Sequence, residues 1–261
     1  MVHGWRPRCG AGPADMSLTQ SLPDVIRQFD INVDGRDFVV GDIHGRFDRL
    51  RTGLAEYRFD EHRDRLFSVG DLIDRGAYSA EALDWLRQPW FHACLGNHEQ
   101  MLLNSPQHES AMLSWILMNG GEWWLELDTT ARAQYFEALS AMPLTMEVET
   151  AQGRVGIVHA DVPSWLSWPQ FIHALQEGDE QVREWALWGR ERATGHILFG
   201  VEGIDRVVCG HTVMVTGRPN VVENVWFIDT GAFVDGRRAH LTMLPLSQLF
   251  EKNAAATGRY D

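Results

Sequence analysis

From Asp37 onward, short β-type apolar runs alternate with stretches of helical period. Asp37-Phe38-Val39-Val40 stops at Gly41-Asp42-Ile43-His44-Gly45, and Phe47, Leu50, Leu54 and Tyr57 then recur at helical spacing. Arg65-Leu66-Phe67-Ser68-Val69 predicts a second strand, ending in Gly70-Asp71, and Leu83 and Leu86 mark a second helix. Phe91-His92-Ala93-Cys94-Leu95 predicts a third strand, ending in Gly96-Asn97-His98-Glu99. Two later runs end likewise, Val155-Gly156-Ile157-Val158 before His159 and Val207-Val208-Cys209-Gly210 before His211. Residues 99–142 and 169–192 predict helix, and 221–228 and 239–244 predict closing strands.

Asp42 to Asp71 and Asp71 to Asn97 are each about one βαβ unit, roughly 30 residues, so the polar clusters recur at the same end of successive parallel strands. Ligands of α/β sheets bind at those carboxyl ends, and five strand ends are expected to converge on one polar site. Residues 1–35, with three prolines and no sustained period, predict a poorly ordered N-terminal arm. One catalytic domain over 36–250 and a tail at 251–261 complete the expected division, with no internal repeat and no linker.

Composition narrows the class. The 261 residues are 44% hydrophobic and 23% charged, which is globular rather than disordered. Cys9, Cys94 and Cys209 are scattered, without a disulfide framework or zinc-finger spacing. No stretch reaches the roughly 18 apolar residues of a membrane span, and no apolar run follows Arg6 and Arg8. A cytoplasmic protein without a membrane partner is expected. The 23 basic against 36 acidic residues give a net charge of −13 with no Lys/Arg run, which weighs against a nucleic-acid track.

Asp42, His44, Asp71, Asn97, His159 and His211 form a set of oxygen and imidazole donors without a thiolate, suited to Mn²⁺, Fe²⁺ or Zn²⁺. Six ligands exceed one tetrahedral zinc and suit a two-metal centre. Such a centre makes the pocket locally positive, so the global charge says little about one phosphoryl group.

Gly41-Asp42-Ile43-His44-Gly45, Gly70-Asp71-Leu72-Ile73-Asp74-Arg75-Gly76 and Gly96-Asn97-His98-Glu99 resemble the three motifs of the PPP family of serine/threonine phosphatases, in its bacterial and phage branch. Val158-His159-Ala160-Asp161, Trp188-Gly189-Arg190-Glu191-Arg192, Gly210-His211-Thr212 and Ile228-Asp229-Thr230-Gly231-Ala232 extend the match in order, over about residues 37–245.

The resemblance implies an α/β calcineurin-like metallophosphoesterase fold, a βαβαβ core with a central β-sandwich flanked by helices. It implies two divalent ions, manganese first, with Asp42, His44 and Asp71 on one, and Asp71, Asn97, His159 and His211 on the other. Arg75 and Arg190 become phosphate clamps, His98 the general acid and Asp74 its orienting carboxylate. The implied reaction is attack of a metal-bridging hydroxide on phosphoserine or phosphothreonine in phosphorylated proteins, extending to phosphotyrosine, by a monomeric enzyme. The alternative is symmetric hydrolysis of dinucleoside tetraphosphates, whose branch tends to lack the Asp at position 74 and to have Gly-Asn-His-Asp. A non-catalytic scaffold is disfavoured, because every ligand and the acid are present.

Other residues carry blander expectations. Trp115, Trp123 and Trp124 are expected to build core or a lid. Trp185 and Trp188 are expected on a helix leading to Arg190, Asp161 either orients a ligand or turns the chain, and Glu99 has no assigned partner. Residues 233–240 are richer in charge than the family's turn, which leaves their part in substrate choice open.

Overall fold

The computed structural model describes residues 25–234, 236 and 239–251. Its first strand corrects one expectation. β1 (Ile26–Phe29) lies inside the stretch expected to be a loose arm, yet pairs in parallel with β5 (Thr145–Thr150). Four residues with half-buried ends carry no period-two signal. The strand forms because Phe29 packs edge-on against Phe67, ring centroids 4.9 Å apart, and the Thr145 N–H donates to the Val25 carbonyl. Residues 1–24 of the expected arm and 252–261 of the expected tail lie outside the described residues.

The three early strands form as expected: β2 (Asp37–Val40), β3 (Arg65–Ser68) and β4 (Phe91–Ala93), parallel and in that order. β10 (Met243–Pro245) adds an antiparallel edge beside β2. The second sheet runs β1, β5, β6 (Gly153–Val158), β7 (Arg206–Cys209), β9 (Val225–Phe227), β8 (Asn220–Val222). The run at 221–228 is thus a hairpin rather than one strand. It turns at Glu223, with φ +55°, and the Asn224 side-chain amide donates to the carbonyls of Val201 and Ile204.

Alternation along the strands decides how the layers stack. Val39, Phe67, Val69 and Cys94 of one sheet meet Met146, Val148, Val155, Ile157, Val208 and Trp226 of the other, all buried. Phe38, Val40 and Leu66 point the opposite way, into the layer built with the helices. The result is a sandwich of two sheets flanked by helices, as the resemblance implied.

α1 (Phe47–Glu56) and α2 (Ala82–Leu86) connect the parallel strands. The expected helical stretch at 99–142 is three helices, α3 (Asn97–Asn104), α4 (Glu109–Asn119) and α5 (Thr129–Ser140). Pro106 in a one-turn 3-10 helix, left-handed Gly120 and the N-cap Asp128, which accepts from the Ala131 N–H, interrupt it. The stretch at 169–192 likewise breaks at Gly178 and Asp179 into α6 (Trp168–Gln176) and α7 (Glu180–Trp188). No helix among the described residues is long and apolar enough to cross a membrane.

Candidate active site

The five strand ends do converge, three from one sheet and two from the other. Asp42 follows β2, Asp71 follows β3, Asn97 opens α3 after β4, and His159 and His211 follow β6 and β7. The backbone there is strained. Of the seven described non-glycine residues with positive φ, five belong to this cluster: His44 at +45°, Asp71 at +50°, Asp74 at +74°, Arg75 at +68° and His211 at +65°. Left-handed conformations in side-chain-bearing residues cost of order 1–3 kcal/mol each and persist only where their surroundings over-determine them.

Asp71 is the centre. One carboxylate oxygen lies 3.5 Å from His159 Nε2; the other lies 3.5 Å from His44 Nε2 and 4.0 Å from His98 Nε2. Two groups able to hold a cation therefore share this residue, His44–Asp71–His98 and Asp71–His159–His211. Asn97 joins the second group, its Oδ1 being 2.8 Å from both His159 Nε2 and His211 Nδ1. Asp42 belongs to neither group: its carboxylate faces the His211 backbone N–H at 2.9 and 3.1 Å. A β-carbon at Gly210 would collide with Asp42 Oδ1, so only glycine fits there.

The donor set fits cations on hydrogen-bond grounds. The Val69 carbonyl can only accept, so the His159 proton sits on Nδ1, 2.9 Å away. His159 Nε2 then turns a lone pair toward Asn97 Oδ1 and Asp71 Oδ1. Acceptors converging without a proton between them are what a bound cation resolves. His211 joins them through Nδ1, 3.2 Å from His159 Nε2. On the other side, His44 donates from Nδ1 to the Ile73 carbonyl at 3.0 Å, and its Nε2 receives the Arg75 guanidinium at 2.8 Å, a positive group at a ligand position.

Electrostatics separates the histidines. Burial pushes His44 and His159 down, and burial with the neighbouring His159 takes His211 to about 2, all three towards the neutral form a metal needs. Burial also opposes a charged His98, but Asp71 and Asp74 outweigh it and raise that imidazole. Burial works against Asp71 too, yet His159, His98 and His44 hold its carboxyl below the ordinary value. Asp42 is raised well above the usual range, first by burial and then by Asp229 and Asp71.

His98 Nδ1 donates to Asp74 Oδ2 at 2.6 Å, and the His98 backbone N–H donates to Asp71 Oδ1 at 3.0 Å. Arg75 and Arg190 both lie exposed at the rim. Arg75 sits over the Phe233 ring at 4.3 Å, and Arg190 Nη1 donates to Thr212 Oγ1 at 3.3 Å.

Four features go beyond the sequence reading. Glu99, fully buried, accepts from the N–H groups of Asp71 (2.9 Å), Leu72 (2.8 Å), Ile73 (3.4 Å) and Gly96 (2.9 Å), tying the second motif to the third. Its place three residues after the N-cap Gly96 is a capping-box spacing, the signal that could have found it. Arg192, fully buried, pairs with Asp161, so Asp161 anchors the loop after β6. Trp115 and Trp123 donate to Asp74 from their indole nitrogens. Phe233 packs edge-on against His44, ring centroids 4.8 Å apart, which brings residues after Ala232 to the site. Cys94 and Cys209 are buried in strand environments that push both thiols well above the ordinary range, and neither is a thiolate nucleophile. Cys9 lies outside the described residues.

Residues 38–215 match the calcineurin-like phosphoesterase family. Serine/threonine-protein phosphatase 1 of Salmonella typhimurium is 40% identical over 205 residues, 77% of this chain and 88% of that protein. The symmetrical bis(5'-nucleosyl)-tetraphosphatase of Serratia proteamaculans is 41% identical, but over 68 residues, 25% of this chain and 24% of its own length. A solved protein serine/threonine phosphatase from Saccharomyces cerevisiae superposes with a TM-score of 0.55 at 13% identity, covering 85% of this chain and 84% of its own.

Proposed function

The chain belongs to the calcineurin-like phosphoesterase family, and from that premise we propose that it is a metal-dependent protein phosphatase hydrolysing phosphoserine and phosphothreonine monoesters. The observation that carries the reading is the Asp74–His98 hydrogen bond at 2.6 Å, beside a donor cluster shared through Asp71. An alkoxide is a poor leaving group and needs a proton as the P–O bond breaks. An imidazole whose Nδ1 is committed to a carboxylate delivers that proton from Nε2.

Asp42, His44 and Asp71 would hold one metal, and Asp71, Asn97, His159 and His211 the other. Once bound, the ions supply positive charge and a water acidified towards neutrality. The chain's own groups do the rest. Arg75 and Arg190, exposed at the rim, grip phosphoryl oxygens through planar guanidinium forks. The new P–O bond comes from water and the bond to the substrate oxygen breaks. The His98 proton ends on that oxygen, releasing alcohol and phosphate, while Asp74 keeps the ring oriented. Manganese as the metal extends the same reading, supported by the thiolate-free donor set, and a cytoplasmic monomer is proposed with it.

The second reading, symmetric tetraphosphate hydrolysis, draws on the short tetraphosphatase match. Asp74 and Glu99 both stand against it, since each is in use here, on His98 and on four backbone N–H groups. Comparing kcat/KM on manganese-loaded protein for a phosphothreonine peptide and for diadenosine tetraphosphate separates the two. Preference for the peptide is expected; preference for the dinucleotide would replace the first reading by the second.

A further inference from the structure

Asp74 is fully buried and carries three side-chain donors. His98 Nδ1 at 2.6 Å and Trp115 Nε1 at 2.7 Å share Oδ2, while Trp123 Nε1 takes Oδ1 at 2.7 Å. Both indoles come from the segment that ends α4 and turns through Gly120 into the one-turn helix Glu122–Glu126. That turn also accepts the Arg75 N–H on the Gly120 carbonyl at 3.1 Å, and a side chain at Gly120, at φ +83°, would strike the Arg75 backbone. Trp123 is braced by Tyr135, ring centroids 5.0 Å apart, and Trp115 by Trp124 at 5.8 Å. A buried indole N–H needs an acceptor wherever it lies, as core Trp168 shows on Glu147 at 2.7 Å; what sets this pair apart is that together they occupy both oxygens of the carboxylate that also holds His98.

We propose that Trp115 and Trp123 are positioning residues of the reaction, fixing both oxygens of Asp74 so that His98 faces the leaving oxygen. A carboxylate bonded through one oxygen can rotate about its Cβ–Cγ axis. One held on both oxygens cannot, and the imidazole bonded to it inherits that orientation. The inference rests on the reading of His98 as general acid, and its test keeps the two apart.

The test measures turnover of a phosphoserine peptide, whose alkoxide must be protonated, against 4-nitrophenyl phosphate, whose phenolate leaves unaided. Trp123→Phe keeps an aromatic ring and removes only the N–H. It is expected to lower kcat on the peptide about tenfold, with KM and kcat on the nitrophenyl ester within about twofold. Trp115→Phe should do the same. In an Asp74→Asn background neither change should lower the peptide rate further, because residues acting through one group do not add. Equal losses on both esters, or additive losses with Asp74→Asn, would overturn the inference in favour of a packing role. Trp115 is 1% exposed, so should Trp115→Phe fail to fold, the half-buried Trp123 decides the question alone. His98→Asn is the control. If it loses no more on the peptide than on the nitrophenyl ester, the acid reading fails; if it shows the expected split and the tryptophan variants do not, only the positioning role fails. A second readout needs no turnover: the indole N–H resonances of Trp115 and Trp123 should move in Asp74→Asn, and unmoved resonances would likewise overturn the contact.

Discussion

His159 and His98 are both buried imidazoles whose Nδ1 donates a hydrogen bond, and they lie on opposite sides of Asp71. His159 donates to a backbone carbonyl, the Val69 oxygen, a neutral acceptor that fixes the tautomer and adds no charge. His98 donates to a carboxylate whose oxygens are also bound by Trp115 and Trp123. Burial disfavours the charged form of both, and only at His98 do the nearby carboxylates of Asp71 and Asp74 reverse the outcome. In the proposed reaction one residue type would thus serve as metal ligand or as proton donor according to what faces its far nitrogen. His44, donating to the Ile73 carbonyl, follows the first pattern.

The largest expected effect tests the ligand side. Stripping metal with EDTA should reduce turnover to background and manganese should restore it, because bound cations are what the converging acceptors of Asp71, Asn97 and His159 are arranged to hold. Full activity in protein shown by elemental analysis to be metal-free would mean that this half of the site is not used. The acid side should fail differently. His98→Asn is expected to lower kcat on a phosphoserine peptide by about 10²–10⁴ while metal content stays unchanged, whereas His159→Ala should lose metal along with activity. If His98→Asn also emptied the site of metal, the division of labour between the two imidazoles would collapse.

That division was partly legible in the sequence. The proposed ligands sit at five strand ends, Asp42 and His44 sharing the first, and Asp42, Asp71 and Asn97, at a spacing the βαβ unit dictates, can be placed from the apolar runs before them. The bracing of His98 cannot be read that way. Trp115 and Trp123 lie 41 and 49 residues beyond Asp74, within a stretch whose apolar pattern predicts only helix. An indole N–H leaves no trace in a hydrophobic period. β1 leaves no pattern for a related reason: four residues acquire strand geometry from Thr145 and Phe67, both distant in sequence. The breaks at Gly120 and Gly178 did have local signals, the left-handed glycines themselves, and the smooth apolar pattern around them masked those signals.

A smaller effect should come from the group that joins the halves. Glu99 gathers the N–H of Gly96, on the α3 side, and those of Asp71, Leu72 and Ile73, on the side of the second motif. Glu99→Gln keeps the shape, but its amide NH₂ would face backbone donors and leave at least one of them buried without an acceptor. The expected cost is about 1–3 kcal/mol of stability, read as a lower denaturation midpoint with unchanged slope. A variant as stable as the parent would show that the two motifs are held together by packing rather than by this carboxylate.

The smallest expected effect asks whether a packed, largely buried setting keeps an imidazole neutral in this fold, away from any candidate ligand. His92, on β4, packs against Phe29 at 4.6 Å and Phe67 at 5.3 Å. Burial takes it to about 4, with Arg27 and Arg65 adding to the shift and Asp37 opposing it. The unfolded chain has the ordinary histidine value near 6.5. Above that pH neither state binds the proton, and the stability associated with a neutral His92 is fully present. Between about 6.5 and 4 the unfolded chain is protonated first, so stability falls as pH falls, and below about 4 the contribution is lost. His92→Phe cannot titrate. Its melting temperature should gain on the parent by about 4–9 °C between pH 7 and pH 4.5, for a differential of roughly 2 kcal/mol. A constant gap across that range would mean that His92 ionises freely in the folded protein. Burial would then not suffice to keep an imidazole neutral here, and the neutrality of His159 would have to come from its own neighbours.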